Sequence, residues 1–387
     1  MTTVTEVQSS VAGGVGLITL NRPKALNALS PAMIQALLAT LRAWRDDPQV
    51  FAVAIRGSNK VGQPGSPEAC FGGFCAGGDI RFFHQAALAG DLALEAFFTE
   101  EYTLNHVIQT YPKPYIAFMD GVVMGGGMGL CQGSALAAPA TADGGKLRIV
   151  TEKTKMAMPE TGIGLFPDVG GGYFLSRCPG NAGEYLALTG ETIAGPQAVA
   201  WGLADVCVPA ANLPALWAAM QTCGSPAALQ HWIATNVIAA HAPSTSAAAD
   251  FDAKIEAAFG LPTVAAIVSA LQAQGTKPAR AIAATLRLRS PLMLHVVLEQ
   301  IRRARSMTLA DDLRMERDMV AHCFNTQHLG RSGTSSETVE GIRALAVDKD
   351  FKPQWNPPRI EDVTRAMVEP FFVSPWDPQN HPLRDLD

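Results

Sequence analysis

Two carboxylates, Glu160 and Asp168, stand on either side of a short apolar run in MPETGIGLFPDVGGGYF, residues 158–174. The residues between them carry no other charge. Burial beside apolar surface raises the pKa of a carboxyl group and suits it to acid–base chemistry or nucleophilic attack. A structural interpretation stays open, with Glu160 as a first-turn acid favoured by the helix dipole and Asp168 as a turn residue before the glycines.

A third acid, Glu101, lies on the apolar face of a predicted helix over residues 92–108. The apolar residues that recur at helical spacing are Leu94, Phe97, Phe98, Leu104 and Ile108. Glu101 falls on this stripe, whereas Glu100 points elsewhere. A carboxylate that faces a core must be paired, hydrogen-bonded or neutral, so Glu101 is either a structural partner or part of a site.

Two glycine-rich turns, FCAGGDI (74–80) and MGGGMGL (124–130), each follow extended apolar sequence and precede helix-like sequence. Such a turn leaves backbone N–H groups free at the start of a helix, where negative charge is favoured. Two of them facing each other would form an oxyanion hole. The alternative is that the glycines only permit tight turns. Neither turn matches the standard nucleotide-binding glycine patterns, so an N–H pair that binds a carbonyl oxygen is favoured.

Composition excludes several classes of function. The chain has 387 residues, 48% of them hydrophobic, and a formal charge of −5. Because the charges are spread along the chain, we expect no nucleic-acid partner, and because no long apolar run is present, we expect no membrane span. The eight histidines show no metal-binding spacing and no GxSxG elbow occurs, which argues against metal-dependent and serine hydrolases.

The cysteines and the N-terminal segment bear on the cellular compartment. Seven scattered cysteines without a CxxC pair argue against a disulfide framework and favour a reducing environment. MTTVTEVQSS has neither the basic start and apolar core of a signal peptide nor the Arg-rich pattern of a transit peptide. The sequence therefore predicts a cytoplasmic protein.

The pattern of elements predicts an α/β fold. GVGLITL (14–20) and FAVAIRG (51–57) are typical of buried strands, and a helix capped by Ser30 lies between them. After about residue 210 strand signals fade and helical patterns dominate. We expect two domains, 1–210 with the repeated strand and helix units and 211–387 mainly helical. Surface loops are predicted at 57–73 and 137–145.

Several of these segments together resemble the crotonase, or enoyl-CoA hydratase/isomerase, superfamily. They are NRPKALNALS (21–30), FCAGGDIRFF (74–83), YPKPYIAFMDGVVMGGGMGL (111–130) and TEKTKMAMPETGIGLFPDVGGGYFLSR (151–177). The similarity continues to about residue 364, and it is closest to the members that hydrolyse 3-hydroxyisobutyryl-CoA. It implies a crotonase-like spiral of repeated ββα units with a helical C-terminal region that closes over the site.

The resemblance also implies a coenzyme A thioester substrate and assigns residues to it. The N–H groups of Gly78 and Gly126 would hold the thioester oxygen. Lys24, Ala25 and Leu26 would lie near the adenine end of coenzyme A. Coenzyme A is then part of the substrate, and no separate cofactor and no metal are expected. A homo-oligomer is possible.

One departure from the family pattern separates the reactions. The hydratases of this superfamily place their first catalytic glutamate where this chain has Gly129, while their second is matched by Glu160. The hydrolase pattern instead combines Glu160 with Asp168 and Glu101, and all three are present. We therefore expect hydrolysis of a short branched β-hydroxyacyl-CoA thioester. Enoyl-CoA hydration or isomerisation, and a catalytically silent binding subunit, are the alternatives.

Overall fold

The computed structural model describes residues 5–61, 69–132, 145–238 and 252–387. Parts of the two predicted surface loops, 62–68 and 137–144, lie outside the described residues. The chain forms two compact units, each assembled from separate segments. The first comprises Met1–Gly78, Val107–Met156 and Thr192–Ala249, and the second comprises Asp79–His106, Ala157–Glu191 and Asp250–Asp387. The simpler division into 1–210 and 211–387 remains a prediction.

The first unit is built on two β-sheets. Its strands are β1 Val7–Ala12, β2 Val15–Leu20, β3 Ala52–Gly57, β4 Tyr115–Met119, β5 Val122–Met124, β6 Lys146–Val150, β7 Lys155–Ala157, β8 Ile193–Ala194 and β9 Val206–Cys207. The larger sheet has the order β1-β2-β3-β4-β6-β9 and the smaller one β5-β7-β8. From β2 to β9 the large sheet is parallel, and only β1 is antiparallel. Chain-consecutive strands such as β4 and β5 enter different sheets, as the spiral of repeated units requires.

Helices cover the large sheet, because parallel strands bury both faces. Helices of the first unit are α1 Pro31–Asp46, α4 Gly126–Gly129, α7 Gly195–Ala200, α8 Leu213–Met220 and α9 Pro226–Trp232. All six residues of β2 are buried. On one face, Phe118 of β4 packs in one cluster with Trp217 of α8. The predicted cap of α1 is confirmed, because the Ser30 side chain accepts from the Met33 N–H.

The second unit is almost entirely helical. Its helices are α2 Ile80–Ala89, α3 Ala93–Gln109, α5 Gly171–Leu175, α6 Ala182–Thr189, α10 Ala253–Phe259, α11 Val264–Gln274, α12 Lys277–Leu288, α13 Pro291–Ala304, α14 Leu309–Phe324, α15 Glu337–Ile342 and α16 Arg365–Val368. A short hairpin, β10 Asn325–Thr326 with β11 Arg331–Ser332, follows α14. In the described part of the chain no single helix is long and apolar enough to cross a membrane. The helices α12 and α13 together have the required length and apolarity, but the pair is bent by 109°.

The predicted α/β class and the change to helices late in the chain are confirmed. The strand β1 was not predicted, because three of the six residues of VQSSVA are polar and four are exposed along the edge of the sheet. It pairs with β2 through a tight hairpin in which Ala12 faces Val15. The alternation that identifies a half-buried strand is absent from an edge strand of this composition.

Candidate active site

Three buried acids lie together in the second unit. Glu101 is supplied by α3, Glu160 begins a short 3₁₀ turn over Glu160–Ile163, and Asp168 lies in the loop that leads into α5. Exposed fractions are 1% for Glu101 and 5% for each of the other two acids. Mutual electrostatic effects connect all three. The structure thus brings together the three acids that the sequence singled out.

The helix α3 presents Glu101 to this interior because its apolar face is fully packed. Phe97 and Phe98 are each 1% exposed and contact Phe83 of α2 edge-on or tilted. The predicted stripe is therefore the buried face of the helix. Glu101 lies one helical turn beyond these rings, on the same face.

The turn that carries Glu160 is held on three sides. The Thr161 hydroxyl donates to the Leu188 carbonyl at 3.1 Å, and the Thr161 carbonyl accepts from the Ser290 N–H at 3.0 Å. At its end, Gly164 has φ +68°, and a Cβ there would lie 2.4 Å from the Glu337 carbonyl oxygen. Only glycine fits at that position, so the turn is fixed by packing as well as by hydrogen bonds.

The loop that carries Asp168 is held by a fourth buried acid, Glu316 of α14. Glu316 accepts the Gly170 N–H at 2.7 Å and the Gly172 N–H at 2.9 Å through its two carboxylate oxygens. Between Asp168 and Gly170, Val169 has φ +59°, a conformation that costs a β-branched residue of the order of 1–3 kcal/mol. Such backbone persists only where its surroundings impose it, and Glu316 supplies that constraint.

Burial and mutual repulsion shift the acids toward their neutral forms. Burial, then the charge of Asp168, raises the pKa of Glu160 well above its usual value. Burial, then Asp168 and Glu160, does the same to the pKa of Glu101. Burial raises the pKa of Asp168 to about 7. Hydrogen bonds from the Tyr102 hydroxyl and from the backbone N–H of Asp168 act in the opposite direction and lower this pKa. Groups that change protonation near neutral pH suit acid–base catalysis.

Two oxygens of the cluster, Glu101 Oε1 and Glu160 Oε2, have no hydrogen-bond partner among the described residues. Buried polar atoms are nearly always paired in folded proteins, and the exceptions concentrate where function demands them. Within the same described ranges, no group of three or more His, Cys, Asp or Glu side chains has a geometry that could hold a metal ion. The arrangement is suited to proton transfer or carboxylate chemistry.

Sequence reasoning missed three residues of this region. Tyr102, which the sequence analysis did not single out, is fully buried and its hydroxyl donates to Asp168 Oδ2 at 2.9 Å. Asp312 and Glu316, one turn apart on α14, are also fully buried, and burial raises the pKa of Asp312 to about 7. Both acids lie among apolar neighbours of α14, which is the signal that singled out Glu101 on α3.

The two glycine-rich turns lie side by side in the first unit. The Cys75 N–H donates to the Val122 carbonyl at 2.9 Å, and the Met124 N–H returns to the Cys75 carbonyl at 3.0 Å. At Gly77, φ is +97°, and a Cβ would lie 3.3 Å from the Gly126 nitrogen. The two turns are in contact at the residue before Gly78, so its N–H and that of Gly126 belong to neighbouring segments.

In the part of the chain that the structure describes, the N–H groups predicted as donors are not used by the adjacent secondary structure. Leu29 and Gly78 form an isolated parallel β-bridge. Its hydrogen bond runs from the Leu29 N–H to the Gly77 carbonyl at 2.8 Å, so the donor is Leu29 and not Gly78. Gly126 is the first residue of α4, where an N–H has no partner within the helix. Both groups meet the requirement for donors to a ligand oxygen.

The segment Lys24, Ala25 and Leu26 runs alongside the first glycine turn. Pro23–Ala25 forms a 3₁₀ turn, and the Leu26 carbonyl accepts the Ala76 N–H at 3.0 Å. Lys24 is exposed, as is 47% of Leu26. The segment therefore has side chains available at the surface beside the turn that contains Gly78.

The fold and these features define a class of protein, and comparison with known proteins agrees with it. A family model described as enoyl-CoA hydratase/isomerase matches residues 15–372. The chain belongs to the enoyl-CoA hydratase/isomerase family.

The particular relatives carry two kinds of name. The chain is 38% identical to "3-hydroxyisobutyryl-CoA hydrolase, mitochondrial" of Xenopus tropicalis, over 94% of this chain and 87% of the relative. It is 39% identical to "Probable 3-hydroxyisobutyryl-CoA hydrolase 2" of Arabidopsis thaliana, over 92% and 89%. Among solved structures, a carnitinyl-CoA dehydratase from Mycobacterium thermoresistibile is similar with a TM-score of 0.80 and 39% identity, covering 97% and 98%. An enoyl-CoA hydratase from Rhodobacter sphaeroides 2.4.1 has a TM-score of 0.75 and 32% identity, covering 96% and 98%.

These names overturn the predicted cytoplasmic location. The frog, chicken, zebrafish and rat relatives are all named as mitochondrial proteins. The prediction was wrong because one of its grounds does not discriminate. None of the seven cysteines forms a disulfide, but reduced cysteines require only a reducing environment and do not distinguish between compartments that provide one.

Proposed function

We propose that this chain hydrolyses a short branched β-hydroxyacyl-CoA thioester, with 3-hydroxyisobutyryl-CoA as the favoured substrate and 3-hydroxyisobutyrate and coenzyme A as products. This reaction belongs to valine breakdown. The names of the curated relatives described above support the substrate. Their coverage of nearly the whole chain supports a whole-chain activity and not a shared fold alone.

The observation that carries the proposal is the convergence of Glu101, Glu160 and Asp168 in one buried cluster, while Gly129 occupies the place of the hydratases' first glutamate. A single glutamate at 160 with no partner at 129 leaves hydration without its proton donor. Two further acids beside Glu160 supply the proton transfers that thioester cleavage needs.

In the proposed reaction, water oxygen ends on the acyl carbon and the carbon–sulfur bond breaks. Glu160 either attacks the carbonyl carbon, to form an anhydride that water then opens, or takes a proton from the attacking water. Asp168 orients Glu160 or the water, hydrogen-bonds the substrate hydroxyl, or gives its proton to the departing thiolate, which suits an acid whose pKa is about 7. Glu101 completes the polar pocket.

The backbone donors and the coenzyme A contacts are proposed from the family resemblance. The Gly78 and Gly126 N–H groups would bind the oxyanion that forms on the thioester carbonyl. Removing one such donor typically lowers the rate by about 100–1,000-fold. The segment from Lys24 to Leu26 would contact the adenine end of coenzyme A, so the substrate carries the only cofactor-like group.

A second candidate, enoyl-CoA hydration, is supported by the name of the similar structure from Rhodobacter sphaeroides 2.4.1, an enoyl-CoA hydratase. It would have to use Glu160 with Asp168 in place of the missing glutamate. The two reactions give different products from different substrates. They can therefore be separated without ambiguity.

The deciding experiment offers the purified protein crotonyl-CoA and 3-hydroxyisobutyryl-CoA in parallel. Thiol release from the hydroxyacyl ester, with the enoyl absorbance of crotonyl-CoA unchanged, is the expected result. Loss of enoyl absorbance without thiol release would assign the chain to hydration. Absence of both signals would favour the binding-subunit alternative. A single turnover in heavy-oxygen water, with label sought in Glu160, distinguishes nucleophile from general base.

A further inference from the structure

Tyr102 and Glu101 are consecutive residues of α3, and both contribute to the acid cluster. Consecutive helical residues point about 100° apart, so the cluster occupies a broad sector of the α3 surface. The Tyr102 ring is packed against Phe98 with the ring centroids 6.0 Å apart. Its hydroxyl lies 2.9 Å from Asp168 Oδ2. Packing alone would be satisfied by phenylalanine, so the hydroxyl requires a separate explanation.

The hydroxyl is a donor to one particular acid. Burial first, then the nearby acids, raises the pKa of Tyr102 well above its usual value, so the phenol stays protonated at any working pH. A permanently protonated phenol beside a carboxylate donates its hydrogen bond without exchanging the proton. It therefore stabilises the ionised form of Asp168 and fixes the plane of the carboxylate.

We infer that Tyr102 is a positioning residue for Asp168, which it holds in one orientation and keeps ionisable among neighbouring acids. This inference rests on the proposed function, because it assumes that Asp168 takes part in the reaction. Asp168 is already fixed through its backbone, since its carbonyl accepts the Gly171 N–H at 2.8 Å. Tyr102 adds the constraint on the side chain.

The hydrogen bond from the Tyr102 hydroxyl counteracts the effect of the groups that face Asp168. They are Glu101 and Tyr102 of α3, Glu160 of the 3₁₀ turn, and Glu316 and Cys323 of α14. The acids among them repel a charge on Asp168, and burial raises its pKa further. The hydrogen bonds that favour the charged form come from Tyr102 and from the backbone N–H of Asp168 itself. Loss of the Tyr102 hydroxyl should therefore move the pKa of Asp168 upward.

The first experiment follows the Asp168 carboxyl directly in Tyr102→Phe by carbon-13 NMR titration, with the resonance assigned by its loss in Asp168→Asn. The expected pKa is higher than in the unaltered protein by about one unit. In hydrolysis of 3-hydroxyisobutyryl-CoA, kcat should fall about tenfold or more with little change in KM, and the pH profile should move with the titration.

The matched control is Tyr115→Phe in the first unit. Tyr115 is equally buried, and its hydroxyl donates to the Leu130 carbonyl at 3.1 Å, so the same atom is removed where it serves a backbone carbonyl and not a carboxylate. The control should leave the titration of Asp168 unchanged. An unchanged Asp168 pKa in Tyr102→Phe, or an equal loss of activity in both variants with no shift in the pH profile, would overturn the inference.

A second probe covers the case in which Tyr102→Phe does not fold. A 2,3-difluorotyrosine at position 102 keeps the ring and hydroxyl but makes the phenol a stronger donor, so the pKa of Asp168 should fall; a pKa that stays in place or rises rejects the inference. The NMR titration does not depend on turnover. If the unaltered protein releases no thiol, the proposed function fails while the titration still decides the role of Tyr102.

Discussion

At the scale of single residues, the acid cluster places charge where water is excluded. Carboxyl groups with raised pKa values bind protons more tightly in the folded chain than in the unfolded one. Burial raises the pKa of Asp168 and of Asp312 to about 7, compared with an ordinary value near 4. The chain therefore loses stability as these groups ionise.

The first prediction concerns Asp168→Asn. Between the unfolded pKa of about 4 and the folded pKa of about 7, the folded state holds the extra proton, so stability falls as pH rises at up to ~1.4 kcal/mol per pH unit. Asparagine removes this dependence and still accepts from Tyr102. We expect the variant to be inactive but more stable than the unaltered protein at pH 8, with the difference vanishing below pH 4. Thermal unfolding across this pH range measures it.

Asp350→Asn is the control for this prediction. Asp350 is exposed and hydrogen-bonded to Arg343, which lowers its pKa, so its contribution has the opposite sign. It should give no gain in stability at pH 8. A fall in stability of Asp168→Asn at pH 8 would contradict a buried, unfavourable charge.

The second prediction ranks the acids by substitution with glutamine. Glu160→Gln should lower thiol release at least about 100-fold, since it removes the reacting carboxylate, and Glu101→Gln should lower it less. Glu100→Gln is the matched control, because it is adjacent in sequence but outside the buried stripe. Steady-state kinetics on one hydroxyacyl-CoA measures all three. Equal losses in Glu100→Gln and Glu101→Gln would show that the helix, and not the buried acid, is sensitive to change.

At the scale of elements, the loop from Pro167 to Gly172 depends on α13 and α14. The Gln300 side chain of α13 donates to the Pro167 carbonyl at 2.7 Å, and Glu316 of α14 accepts two N–H groups beyond Asp168. A loop anchored to two helices can hold an unfavourable backbone conformation such as that of Val169. The helices α13 and α14, which come late in the chain, therefore help to position Asp168, which lies more than 100 residues earlier in the sequence.

The third prediction tests this close fit with Gly172→Ala. A Cβ at Gly172 would lie 2.3 Å from Asp312 Oδ1 and 3.2 Å from Ala304 Cβ. We expect a loss of about 1–3 kcal/mol in the free energy of unfolding, together with reduced activity, because the loop must shift. Urea unfolding measures the first effect.

Gly73→Ala is the control for Gly172→Ala, since the nearest neighbour of its added Cβ is the Ser58 carbonyl oxygen at 3.4 Å. Its effect should stay within about 0.5 kcal/mol. If Gly172→Ala is equally silent, the loop is not tightly held against α14.

Much of the fold and Glu101 could be predicted from periodicity, whereas Glu160 and Asp168 were predicted from the uncharged apolar run between them and from the family resemblance. The stripe on α3 placed Glu101 inside, and the same test on α14 would have placed Glu316 inside, since Leu313 and Val320 stand three and four residues away and are buried. The contribution of Tyr102 to the site was not predicted for a different reason. An aromatic residue is an ordinary core residue, and only the coordinates show where its hydroxyl points.

At the scale of the whole molecule, each compact unit is discontinuous in sequence. The second unit takes its acids from Asp79–His106 and Ala157–Glu191 but its anchoring helices from Asp250–Asp387. A cut of the chain at residue 210 divides both units. Domain boundaries normally fall where few contacts cross, so we expect a cut that divides both units to break many contacts.

The fourth prediction is that neither 1–210 nor 211–387 folds when produced alone. Each fragment lacks segments that its units need, so buried apolar and acidic side chains would be left exposed. Circular dichroism with urea should show no cooperative transition for either fragment, while mixing the two should restore some thiol release. A cooperative transition in the isolated 211–387 fragment would instead support the boundary that composition predicted.

The anchoring of Asp168 by Glu316 also has a consequence for the order of synthesis. A chain made from its N-terminus emerges with Glu101, Glu160 and Asp168 well before α14 exists. During that interval the Glu316 carboxylate is not yet present to accept hydrogen bonds from the Gly170 and Gly172 N–H groups. The strained conformation of the loop is therefore not stabilised. The acid cluster can therefore assemble only near the end of translation, and the nascent chain carries no hydrolytic site until then.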